Sequence, residues 1–317
     1  MKIDRFSRKF LIRIALTLSI LFFVSCKHST PTIQHIPVKP LPMIQIEKKP
    51  LETNLNWKRI IGKYQKMDGT KFEVFLIREE NQKLFLYYKD KDYELAQINF
   101  KEYRFQADSP FKADSISFVI DKKGNVPLCM VKDILYEQIY YDLYEFDFTN
   151  FLTPSNKISK DNPSLILVKD IDPTLQVNFR FAPKQPAFLE KNTALALRRA
   201  NQLCNKYDLS IVLYDAYRPI VFESLLQSYY PKSLWKDSKT EFSTGTSLSI
   251  ALFDIKSAQI VDMGSSYLES SERSSLSYIG GTSLQRFYRL FLQTVMKEAG
   301  FSGTDLNWWY FTYKGVN

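Results

Sequence analysis

Histidine is almost missing from this chain. Two occur in 317 residues, His28 and His35, so no imidazole is available as general base or metal ligand beyond residue 35. Glycine is scarce, with ten in all, which argues against glycine-rich phosphate loops. The three cysteines, Cys26, Cys129 and Cys204, form neither a disulfide framework nor a CxxC metal signature. Cys129 lies between Leu128 and Met130, and Cys204 follows Leu203, so both are expected to be buried free thiols. No dense Lys/Arg run interleaved with aromatics accompanies the net charge of +9, so a nucleic-acid partner is not expected.

What is present is core-forming material. Hydrophobic residues make up 45% of the chain and aromatics 15%, enough for two modest domains or one large one. The N-terminus carries Lys2, Arg5, Arg8, Lys9 and Arg13 ahead of an apolar run from Ile14 to Val24. At 11 residues the run is shorter than the about 20 that a membrane-spanning helix needs, and it fits a secretory signal peptide over 1–25. It closes on Val24-Ser25-Cys26, which resembles a bacterial lipobox. The resemblance implies lipidation of Cys26 and a bacterial membrane as partner. No acidic run follows Cys26, so the expected location is the cell envelope, on the periplasmic side. The stretch 26–50 holds five prolines and both histidines and reads as an extended tether.

From 51 to 150 short apolar runs alternate with turn signals. Ile60–Tyr64, Phe72–Ile77, Lys83–Tyr88 and Ser115–Ile120 are expected strands, with Asp68-Gly69 and Gly124-Asn125 as turns. The aromatic stretch Leu135–Phe151 is a candidate last strand pair and connector. The order resembles the small β-barrel-like domain appended to bacterial envelope hydrolases, and it contains no catalytic constellation.

From 160 to 317 the pattern is mixed. Helices are expected over Asn192–Lys206, Ile220–Tyr230 and Ser283–Ala299, the last stopped by Gly300, and a buried strand over Ser210–Leu213. The fold class is therefore α+β: a small all-β, barrel-like N-terminal domain followed by an α+β domain.

Several segments of this second domain stand in a telling order. They are Arg180-Phe181-Ala182, Asp215-Ala216-Tyr217-Arg218-Pro219, Ser243, Met263-Gly264, Glu272-Arg273-Ser274, the helix through Arg289, Leu292 and Met296, and Trp308-Trp309. Together they resemble the zinc D-alanyl-D-alanine dipeptidases of the VanX family. The resemblance implies a zinc held by two His and one Asp, with a Glu as general base. Counted from Ser243, the first His position holds Gly245 and the Asp position holds Leu252; the Glu and second His positions hold Asn307 and Tyr310. No zinc and no hydrolysis are expected of such a set, so the chain reads as a pseudoenzyme that binds peptidoglycan-type peptide or acts as a scaffold. The alternative is an active dipeptidase with unusual oxygen ligands drawn from Asp254, Asp305 or Glu241. The resemblance leaves Arg218, Ser243, Asp215 and Trp309 as candidate ligand-binding residues. For Arg218 two roles stand open: a carboxylate clamp or a structural ion pair with Asp215. Trp308 and Trp309 are expected to pack the core.

Overall fold

The structure is a computed structural model that describes residues 45–68, 73–139, 164–179, 186–220, 241–269 and 271–315. The signal-peptide reading, Cys26, His28, His35, Arg180–Ala182 and the helix expected over 220–230 lie wholly or almost wholly outside these residues.

A short helix, α1 (Leu55–Ile60), precedes eight strands: β1 (Gly62–Lys66), β2 (Val74–Glu80), β3 (Lys83–Tyr88), β4 (Lys91–Gln97), β5 (Glu102–Phe105), β6 (Ser115–Val119), β7 (Leu128–Val131) and β8 (Ile134–Gln138). Each pairs antiparallel with the next, and β1 pairs with β8 through Gln65 and Glu137 to close a barrel. Closure leaves no free sheet edge. Alternation decides the interior: on β2, Phe75, Ile77 and Glu79 are buried while their neighbours are half-exposed. Eight strands enclose a space that side chains can fill. Here Tyr64, Phe75, Tyr103, Phe118 and Tyr136 fill it, with Phe75 edge-on to Tyr136 at 4.9 Å. Ile60 ends α1 rather than opening the first strand, and Tyr64 Oη donates to its carbonyl at 2.9 Å. Cys129 is buried and free.

The C-terminal region is α+β. Its main sheet takes β10 (Gln176–Val177), β12 (Leu209–Asp215), β13 (Ser247–Asp254), β16 (Tyr310–Tyr313) and β15 (Phe301–Gly303) in that order, with β14 (Gln259–Ile260) on the end of β13. A separate pair joins β9 (Leu165–Leu167) to β11 (Phe188–Glu190). Helix α2 (Lys191–Asn205) packs against β12, and α3 (Ser283–Glu298) packs against β15. Glu190 caps α2 by accepting from Thr193 N at 2.9 Å. Thr282 and Gln285 form a capping box on α3. Cys204, on α2, is also buried and free.

The barrel is fastened to the start of α3. Glu79 sits in the inward register at the barrel rim and is 0% exposed. Its carboxylate accepts from Ser283 N at 2.7 Å, Gln82 N at 2.7 Å, Ser283 Oγ at 3.1 Å and Thr53 Oγ1 at 3.2 Å. A carboxylate at a helix N-terminus meets free N–H groups and the positive end of the helix dipole. Alongside it, Arg286 donates to the Glu80 carboxylate and to the Glu79 carbonyl, each at 2.6 Å.

Candidate functional site

Strand β12 ends at Asp215, where a bulge between Leu213 and Asp215 turns the chain toward Arg218. Asp215 Oδ1 accepts from Ala216 N at 2.9 Å, and Oδ2 lies 3.3 Å from Arg218 Nε. Both residues are buried, Arg218 to 4% exposure. The guanidinium also lies 4.0 Å from the centre of the Phe242 ring, a cation–π contact, and Arg218 N donates to Phe242 O at 3.2 Å. The ion pair open in the sequence reading is therefore made.

Phe242 belongs to one helical turn, Glu241–Thr244, which also carries the half-buried Ser243. Its ring meets Tyr310 at 5.6 Å. Tyr310 opposes Ser249 across β13 and β16, and its hydroxyl joins Ser247 Oγ at 3.1 Å and Thr312 Oγ1 at 3.2 Å. Ser247 and Thr312 are themselves 2.9 Å apart. Arg218, Asp215, Phe242 and Tyr310 thus form one cluster.

Gly245 adjoins it, because Gly245 N donates to Phe242 O at 3.1 Å. Its φ is +76°, in the region that favours glycine. A Cβ added there would stand 2.7 Å from Leu165 Cδ2 and 2.8 Å from Glu190 N. The Gly245 carbonyl accepts from that same Glu190 N at 3.0 Å, so the wall is fixed. Leu252 is elsewhere. It is 0% exposed, opposes Ile211, and by strand alternation lies on the face of β13 opposite Ser249. Asn307 is half-buried in the turn before β16, and its carbonyl accepts from Tyr310 N at 3.3 Å.

Trp309 is buried, edge-on to Tyr267 at 5.5 Å and to Trp308 at 5.3 Å. Trp308 Nε1 donates to Ser265 Oγ at 2.8 Å. Both indoles pack inside the fold. Of the substitute carboxylates, Asp254 Oδ1 accepts from Lys256 N and Ser257 N, each at 2.9 Å, and closes the turn after β13. These bonds, that from Ser257 first, hold its carboxyl below the usual range. Asp305 Oδ2 accepts from Ser277 Oγ at 3.1 Å. The Glu241 side chain lies outside the described residues. Among the described residues no three His, Cys, Asp or Glu side chains come together as a metal-binding group. Sequence reading missed Phe242, Ser247 and Thr312, which carry no chemical signature until the sheet register assembles them.

The sequence profile of the family described as D-ala-D-ala dipeptidase matches residues 178–316. The chain is 27% identical to a D-alanyl-D-alanine dipeptidase of Escherichia coli strain K12 over 165 residues, 48% of this chain and 85% of the relative. It is 24% identical to that of Enterococcus faecium over 142 residues, 38% of this chain and 70% of the relative. The Enterococcus faecalis dipeptidase gives 25% over the same length, with the same shares. Over residues 178–316 the chain is thus similar to the VanX-like D-alanyl-D-alanine dipeptidases.

Proposed function

We propose that this protein is an envelope lipoprotein whose dipeptidase-like region no longer hydrolyses D-alanyl-D-alanine and serves as a scaffold for the barrel docked on it. Gly245 carries the reading. It offers a metal neither a donor atom nor room for one, since any side chain would meet Leu165 and the backbone of Glu190. The family's zinc also does not fit the other positions. Leu252 is aliphatic core, and the Tyr310 hydroxyl is engaged with Ser247 and Thr312. Asn307 cannot take a proton from water as a Glu would. Anchoring rests on Cys26, whose Val24-Ser25-Cys26 setting resembles a lipobox and supports lipidation there.

Arg218 is buried and paired with Asp215, which supports a structural role for this residue and with it the scaffold reading.

Restoration is the test. The quadruple variant G245H/L252D/N307E/Y310H returns the family's residues to their counted positions. It is expected to bind no stoichiometric zinc, release no D-alanine and melt below the parent. Zinc uptake and D-alanine release by the unsubstituted protein would sink the reading, whereas turnover by the variant alone would overturn only the claim that Gly245 leaves no room for a ligand.

A further inference from the structure

Between the barrel and the C-terminal region lies a cleft of about 490 Å³. Its charged lining is one-sided: Lys58, Arg59, Lys63, Lys123 and Arg273 face a single carboxylate, Asp262. Three of the cations are engaged. Lys58 lies 3.5 Å from Glu52, Lys63 is 2.7 Å from Glu272, and Arg273 donates to Gly264 O at 2.8 Å. Arg59 and Lys123 have no carboxylate partner among the described residues. They are brought to the same turn, because Arg59 lies against Gly124: a Cβ there would stand 3.1 Å from its Nη1. Gly124 has a φ of +84°, so the turn depends on that bare backbone.

The turn's own acid does not neutralise them. Asp121 accepts from Lys123 N at 2.8 Å, Asn125 N at 2.8 Å and Asn125 Nδ2 at 3.0 Å, and is spent on the turn's geometry. Like charges lining one cleft repel, and a bound anion relieves the repulsion. A second observation is independent of charge. The buried Oε1 of Gln138, also in the lining, accepts no hydrogen bond among the described residues, while its Nε2 donates to Ile61 O at 3.3 Å. A buried acceptor without a donor is costly, and a ligand hydroxyl would satisfy it.

We infer that this cleft binds a small anion carrying two or more carboxylate or phosphate groups. Arg59 and Lys123 supply the primary contacts from the barrel, Arg273 stands on the C-terminal wall, and Gln138 accepts from the ligand. The inference is independent of the fate of the catalytic positions, since none of them lines the cleft.

The test titrates citrate and, separately, pyrophosphate into the purified full-length protein by calorimetry. One of the two is expected to bind saturably at one site per chain, and which one does so separates carboxylate from phosphate chemistry. R59Q/K123Q should weaken that binding by ten-fold or more. Lys83→Gln, which removes a barrel cation paired to Glu94 outside the cleft, should leave it unchanged. If the double variant melts early, Lys123→Gln alone, in an exposed turn, should still weaken binding by about three-fold. Absence of binding by both probes, equal binding by the double variant, or an equal loss in Lys83→Gln would overturn the site.

Discussion

At the scale of single residues, Gly245 decides more than any other position. A left-handed backbone costs a non-glycine residue about 1–2 kcal/mol, before the contacts at 2.7 and 2.8 Å are counted. Gly245→Ala is therefore expected to lower stability by roughly 3 kcal/mol in denaturant unfolding. An unchanged midpoint would mean that the wall at Leu165 and Glu190 yields easily. Asp254 has a different role. Its carboxyl is held below the ordinary value by Ser257 N–H and Lys256 N–H, so the stabilisation is present above the unfolded-state pKa and is lost as pH falls through the folded value. Asp254→Asn should reduce stability at neutral pH and flatten the acid limb of the stability curve below about pH 4. An unaltered acid limb would contradict the turn role. The dipeptidase-like frame was legible in the sequence because motif order and spacing survive along it. The burial of Arg218 was not, because it depends on Phe242, 24 positions later, folding its ring onto the guanidinium.

At the scale of elements, the barrel strands could be read from period-two alternation, since Phe75, Ile77, Leu84 and Leu86 mark the inward face directly. Most of the hairpins could not. The turns at Asn81-Gln82, Lys89-Asp90 and Lys132-Asp133 all have positive φ at both residues without a glycine. Turns with positive φ at both positions match the twist of the paired strands, and that match selects these backbones over residue preference. The junction with α3 was equally invisible, for Glu79 and Ser283 are 204 residues apart in sequence. Glu79→Ala would leave Ser283 N–H and Gln82 N–H buried without an acceptor. It is expected to cost about 2–3 kcal/mol and to increase proteolysis at the junction while the barrel persists. Limited proteolysis with mass spectrometry reads this out, and a wild-type digestion pattern would show that Arg286 and Glu80 suffice.

At the scale of the whole molecule, a closed barrel and a dipeptidase-like sheet are joined through a buried carboxylate, with a basic cleft between them. The α+β class and the family frame were legible because they rest on order along 140 or so residues rather than on one motif. The cleft was not, since its cations come from α1, β1, the β6–β7 turn and the segment near Arg273. The proposed membrane attachment belongs to this scale too: labelled palmitate should enter the wild-type protein and not Cys26→Ala, and equal labelling of both would contradict an anchor at Cys26. The account's central claim is that the dipeptidase body has lost its chemistry. Its most direct test is zinc content together with D-alanine release from D-alanyl-D-alanine, measured on the full-length protein with zinc supplied. The account predicts no stoichiometric metal and no D-alanine above the no-protein control. One zinc per chain with turnover would contradict it.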